Sequence, residues 1–327
     1  MTRKAMIILM AGGLLWWAVA LNPGSLAAET LNYRLKWLFN TSTVGDIYAD
    51  AHGYFEREGL DVAVKAGGPE RDAIRELELG YAQFGVASAD QVIRALSKGA
   101  RVEVLAQLFQ VNPLQWIHRQ TAPPIRSLSD LRGRVIGITY GGNDETIMKT
   151  LLAKGGLSEQ DVSFFSVRYD FTPFYTGKAD LWPVYRNSQG PVLMKKLGEA
   201  GETISFFDPS AFGVHFVANS VVTAERMMKE RPELVRRFTR ALLSAWRDAL
   251  DPDNAAGALT VLARYDRETP PDILKAQLDL TRDLIVNKEN GTVGGIDAEA
   301  WQQTEAVMLD QGLIPGPVSV EKALSPQ

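Results

Sequence analysis

The segment VIGITYGGNDETIMKTLL, Val135 to Leu152, sets Gly141, Gly142, Asn143, Asp144 and Glu145 where an apolar run gives way to a helix-forming one. Paired glycines at such a place let a ligand approach the backbone and leave N–H groups to donate to it. Two phosphate sites are excluded by spacing. A P-loop needs glycine directly before its lysine and Ser/Thr, whereas Lys149 and Thr150 follow Met148 and fall inside the helix. GITYGG also lacks the G-x-G-x-x-G spacing of a dinucleotide fingerprint. A purely local reading needs no ligand: the glycines permit a tight turn, Asn143 caps the helix, and Asp144 and Glu145 complement its dipole. On the functional reading, acids at the helix start oppose a phosphate or sulfonate and accept from amino groups. This favours a neutral or cationic ligand.

Further candidates stand where other apolar runs end. These are Trp37 and Asn40 in WLFNTST, Ser88, Asp90 and Gln91 in VASADQ, Phe109 and Gln110 in LFQVNP, Tyr140 before the glycine pair, Asp170 in VRYDFTP, and Tyr185 and Asn187 in VYRNSQG. Aromatic faces beside amides and hydroxyls suit a flat polar heterocycle better than a bare inorganic anion. Each has a local alternative: Trp37 in a core, Asn40 as a cap, Asp90 and Gln91 as a helix start, Arg186 paired with a surface carboxylate. Trp116 is expected to pack. Catalysis finds little support. The three histidines, His52, His118 and His215, form no H-E-x-x-H, there is no G-x-S-x-G elbow, and the absence of cysteine excludes thiol chemistry, thiolate metal sites and disulfides. No cofactor or metal is expected.

These residues must be positioned by an alternating pattern of strands and helices. LNYRLKWL, LDVAVKA, AQFGVAS and RVEVLAQLF read as strands, with DIYADAHGYFERE, ERDAIRELELG and DQVIRALSKG as helices between them. Such alternation implies parallel strands with helical crossovers. The pattern breaks at Pro123 and Pro124 and restarts with RVIGIT, VSFFSV and LWPVY, marking a second domain. From Thr223 onward only helical periodicity remains, in RPELVRRFTRALLSAWRDAL, PPDILKAQLDLTRDLI and DAEAWQQTEAVMLDQG.

The first 27 residues follow another logic: Arg3 and Lys4, an apolar run from Ala5 to Leu21, then NPG and the small residues Ser25 and Ala27. This reads as a signal peptide cleaved near Ala27/Ala28 rather than as a spanning helix, which would need about 20 apolar residues. Loss of Arg3 and Lys4 takes the net charge from −4 to −6. With scattered lysines and arginines and no aromatic-interleaved basic patch, nucleic acid is not an expected partner. A chain of 327 residues, 46% hydrophobic, can bury a core large enough to dispense with disulfides.

Four phrases in order carry a family likeness. ADAHGYFEREGLDVAVKAGG, ELGYAQFGVASADQVIRALSKGARVEVLAQLFQ, SLSDLRGRVIGITYGGNDE and DFTPFYTGKADLWPVYRN resemble successive segments of periplasmic substrate-binding receptors of the thiamine-pyrimidine-precursor and alkanesulfonate (SsuA-like) type, over about Leu31 to Ala249. The resemblance implies a type II periplasmic binding fold: two α/β lobes with mixed sheets joined by two crossover segments, with a helical C-terminal cap and the ligand in the cleft. On that plan residues 28–117 begin lobe I, 118–212 form lobe II, and 213–327 complete lobe I with the C-terminal helices. It further implies a monomeric receptor that passes its small-molecule ligand to an ABC transporter permease in the inner membrane. A pyrimidine or thiamine precursor is the first ligand class. A sulfonate or other small organic anion is the alternative, and a pyrimidine-synthesising enzyme on the same fold is a third reading.

Overall fold

A computed structural model describes residues 29–168 and 170–325; the leader expected over residues 1–27 lies outside them. Among the described residues there are ten strands: β1 (Leu31–Arg34), β2 (Val62–Lys65), β3 (Phe84–Ala87), β4 (Val102–Gln107), β5 (Leu114–Arg119), β6 (Val135–Ile138), β7 (Ser163–Ser166), β8 (Trp182–Tyr185), β9 (Ile204–Phe207) and β10 (Ser220–Ala224). The first sheet runs β2-β1-β3-β10-β4, with β1 parallel to β2 and β3, and β10 antiparallel to β3 and β4.

The second half repeats that order. β5 pairs antiparallel with β8 and β9, β6 pairs parallel with β7, and a parallel bridge from Ile136 to Leu181 attaches β6 beside β8, giving β7-β6-β8-β5-β9. In each sheet the fourth position is an antiparallel strand that the chain supplies on crossing: β5 on leaving the first sheet, β10 on returning. The fold is therefore an α/β type II periplasmic binding architecture with mixed sheets. Strand Leu114–Arg119 pairs wholly in the second sheet, so the chain has already crossed before residue 117.

Three of these strands carry weak local signals. LQWIHR alternates imperfectly and precedes a proline-broken stretch; ISFF is short; β10 directly precedes a helix. Trp116 packs as expected, fully buried in β5 with its Nε1 donating to the Gly137 carbonyl at 3.0 Å. DIYADAHGYFERE forms two helices, Val44–Ala51 and Tyr54–Arg57, separated at Gly53 by a positive φ. The helical end of the chain folds back on the first sheet. The 19-residue helix Pro232–Leu250 turns Phe238, Leu242, Ala245 and Trp246 inward, and the Phe238 ring stacks on Phe84 of β3 at 3.6 Å between centroids.

One carboxylate lies inside this core. Asp46 is buried, and its Oδ1 accepts from the Tyr33 hydroxyl at 2.8 Å and from the Trp246 Nε1–H at 3.1 Å. Burial disfavours the charge more than the two donors favour it, and the pKa is raised to about 7. A carboxyl that holds its proton more tightly folded than unfolded contributes stability that is complete below about pH 4 and is lost as pH rises to about 7. Asp46→Asn keeps an acceptor for both donors and removes the titration. Relative to that variant, wild type should lose up to about 1.4 kcal/mol per pH unit across this window in urea unfolding. Parallel pH profiles for the two proteins would contradict this reading of Asp46.

Candidate ligand cleft

The strand ends of the two sheets meet, and the loops leaving β1, β3, β6 and β8 touch across the gap. In open α/β sheets this carboxyl edge is where ligands bind. From the loop after β1, Lys36 Nζ donates to Asn143 Oδ1 at 2.9 Å and to the Tyr185 hydroxyl at 3.3 Å, both in the other lobe. Tyr185 in turn donates to Asn219 Oδ1 at 3.1 Å, on the returning crossover. After β3, Gln91 Nε2 reaches the Gly141 carbonyl at 3.5 Å, and Arg94 bonds Thr146. Trp37 stands beside Lys36, half-buried, with its carbonyl accepting from the Gly67 N–H at 2.9 Å.

A second set of contacts is fully buried. Asn187 Nδ2 donates to Ser42 Oγ at 3.1 Å and to Thr281 Oγ1 at 2.8 Å, while Gln277 Nε2 donates to the Ser188 carbonyl at 2.5 Å and its Oε1 accepts from Thr41 at 2.8 Å. The helix Pro271–Ile285 thus clasps the loop after β8 against the turn after β1. Asn187 Oδ1 and Asn143 Nδ2 remain buried without a hydrogen-bond partner. Unpaired buried polar atoms are costly, and at a cleft they mark places where a ligand or water supplies the missing partner.

The glycine loop differs from its sequence reading. Gly141 has φ +78 at the third position of a turn closed by Gly142 N–H to Thr139 O at 2.8 Å, a place that favours glycine. The helix starts at Asn143 with Gly142 as its N-cap, so Asn143 is not the cap; its Oδ1 faces Lys36 instead. Asp144 Oδ2 accepts from the Thr139 N–H at 2.6 Å, and Glu145 Oε2 from the Gly141 N–H at 2.7 Å. The loop N–H groups of Thr139, Gly141 and Gly142 therefore bond within the loop rather than being offered to a ligand. Burial raises the Asp144 carboxyl to about 6, against the Thr139 hydrogen bonds and the nearby Lys36 charge. For Glu145, burial is outweighed by Lys149 at 2.8 Å and the Gly141 N–H, and its pKa is lowered. Both acids serve the loop, so the negative charge that pointed to an amino-bearing ligand is turned inward.

The other candidates divide in the same way. Asn40 Oδ1 accepts from Ser42 N–H, Asp170 Oδ1 accepts from Thr172 N–H, and Gln110 donates to the Gln107 and Gly295 carbonyls, so these three serve nearby backbone. Ser88 precedes its helix and donates to the buried Asp90 at 2.6 Å, leaving Asp90 Oδ2 without a hydrogen bond and 3.9 Å from Arg94. Phe109 is a core residue whose ring meets Tyr185 edge-on at 6.2 Å, and Tyr140 is exposed at the cleft rim. Phe109, Gln110 and Arg186 line a cavity of about 190 Å³ between the two crossovers, and none of Lys36, Trp37, Asn143 or Tyr185 lines it. Lys36 was not a candidate from sequence, although the inward alternation of Leu31, Tyr33 and Leu35 places it on the opposite side at the strand's open end.

The loop geometry is testable by coupling. A methyl group at Gly142 would sit 2.4 Å from Asp144 Oδ1, whereas at Gly141 it meets nothing and only the positive φ resists it. In urea unfolding, Gly142→Ala and Asp144→Ala should be non-additive by about 0.5–3 kcal/mol. Gly141→Ala should cost about 1 kcal/mol on its own. Simple additivity of the Gly142 and Asp144 substitutions would contradict the described loop.

Comparison with known proteins agrees with this architecture. The chain is 28% identical to a formylaminopyrimidine-binding protein of Halalkalibacterium halodurans, covering 91% of this chain and 90% of that protein. It is 27% identical to riboflavin-binding protein RibY of Chloroflexus aurantiacus, covering 85% and 79%. Among solved structures, the alkanesulfonate-binding protein SsuA of Xanthomonas axonopodis pv. citri bound to MOPS aligns with a TM-score of 0.70 at 19% identity, covering 91% and 99%, and shares the fold. The model of the family described as NMT1/THI5 like matches residues 40–255, and the chain belongs to that family.

Proposed function

We propose that the protein is an exported solute-binding receptor that captures a small heterocyclic nutrient of pyrimidine or thiamine-precursor type by closure of its two lobes. The observation that carries this reading is the meeting of the two sheets at their strand ends through a few polar side chains beside the half-buried Trp37. Polar contacts of this kind can be exchanged for bonds to a solute, and a ligand that bridges both lobes stabilises the closed form by its differential affinity. The named relatives that bind a formylaminopyrimidine and riboflavin support a flat ring as cargo. They also support binding rather than turnover. The closed form, in the periplasm, would be read by the permease of an ABC importer, with the receptor acting as a monomer. Among the described residues no helix is long and apolar enough to cross a membrane.

A receptor returns its ligand intact. Incubation with candidate pyrimidines should leave them chemically unchanged while a bound one raises the melting temperature by mass action, and turnover of any of them would overturn the proposal. Trp37→Ala should weaken binding of that pyrimidine by about 1 kcal/mol or more in calorimetry with the fold intact. Unchanged affinity would assign Trp37 to packing alone.

A further inference from the structure

Arg186 takes part in none of the cleft contacts. Its backbone N–H donates to the Pro113 carbonyl of the first crossover at 2.9 Å, and the residue lines the cavity of about 190 Å³ between the two crossovers. It is half-buried, its Nε is buried without a hydrogen-bond partner, and among the described residues no carboxylate lies within ion-pair distance of it. A cation partly removed from water is costly unless an opposite charge answers it. The same cavity also holds acids. Asp208 lines it at the start of the returning crossover, and Asp297 lines it at the N-cap of the helix Ala298–Asp310. Both oxygens of Asp208 are engaged, Oδ2 by Gln115 Nε2 at 2.8 Å and Oδ1 by the Ser210 N–H and hydroxyl at 2.8 and 2.7 Å. Asp297 Oδ1 accepts from the Ala300 N–H at 3.0 Å, while its other oxygen takes no hydrogen bond among the described residues. His215, the remaining titratable lining residue, is exposed. The uncommitted charged groups are thus one guanidinium and one carboxylate oxygen. A bare anion drawn to Arg186 would meet two acids, and a bare cation drawn to the acids would meet Arg186. A molecule carrying both charges answers each.

We infer that the cavity between the crossovers is a second binding site, for a small zwitterion with the chemistry of a short amino acid, its carboxylate on Arg186 and its ammonium on Asp297. A guanidinium presents parallel N–H groups that match a carboxylate, which a point-charge cation would not. The volume sets the size, because it falls below the ~300–1,000 Å³ of sites for drug-sized ligands and leaves room for a short side chain only. None of Lys36, Trp37, Asn143 and Tyr185 lines this cavity, so the site stands apart from the cleft and from whatever solute the cleft carries.

Saturation-transfer NMR on the full-length mature protein tests it by comparing alanine with propionate and ethylammonium, each of which keeps one of the two charges. Alanine should bind about tenfold tighter than either. Arg186→Gln should weaken alanine by about tenfold or more, and so should Asp297→Asn, which keeps a helix cap. Ala300→Leu narrows the cavity while keeping both charges and should also expel alanine. Lys36→Gln, in the cleft, should leave alanine binding as it is. Melting temperatures of the variants show that each is folded, and if Arg186→Gln is not, Asp297→Asn carries the decision. Absence of alanine binding, or propionate or ethylammonium bound as tightly as alanine, overturns the zwitterion site. Alanine binding that survives Arg186→Gln and Asp297→Asn, or is lost with Lys36→Gln, places the ligand elsewhere and overturns it equally.

Discussion

The hydrogen bond from Lys36 to Asn143 joins a strand end of one sheet to the first turn of a helix in the other, and the cleft takes its character from it. A lysine at this depth gives up part of its hydration, so it must be compensated by oriented dipoles or by an anion. In the structure its hydrogen bonds go to an amide and a phenol, and the Asp144 carboxyl lies near enough to interact with its charge. Neutral partners satisfy a cation's hydrogen bonds but leave much of its charge unbalanced. That imbalance can hold the lobes together weakly and yield to a better acceptor.

The acids of the glycine loop explain why the imbalance persists. Had Asp144 reached Lys36 directly, the two would form a buried ion pair, and the cleft would be electrically closed to any solute. Instead Gly142 has no side chain to displace the Asp144 carboxylate, which folds back 2.6 Å from the Thr139 N–H. Glu145 does the same for Gly141. The loop satisfies its own N–H groups, and Asn143 stands at the first helical position facing the lysine. Beside these contacts, the cluster of Asn187, Ser42, Thr281 and Gln277 also joins the two halves, with bonds buried from water.

Much of this was legible from sequence. Seven strands stood out as apolar or alternating runs bounded by turn residues, and Trp37, Asn143, Tyr185 and Asn187 lie beyond their open ends. β5, β9 and β10 were not legible, because their stability comes from antiparallel pairing with partners distant in the chain, which leaves no local periodicity. Asn40, Asp170 and Gln110 bond backbone groups, a role that sequence does not separate from ligand contact. The short polar side chains that bind small molecules are the same ones that cap turns and helix starts, and only the three-dimensional partner decides. Lys36 escaped notice for a different reason: charged residues on alternating strands are ordinarily solvated, and its burial is created by the second lobe.

Closure over a solute is the central claim, and one distance reads it. Glu70 and Arg168, exposed on opposite lobes, approach within 3.2 Å at the cleft mouth. The absence of native cysteine allows nitroxides to be placed cleanly at Glu70→Cys and Arg168→Cys. The solute released by denaturing protein purified from its own cells is then titrated back while electron paramagnetic resonance reports the label separation. Closure predicts a broadened, short-distance population that grows in step with bound solute and reverts to longer separations on dialysis. Saturable binding with an unchanged distance distribution would contradict it.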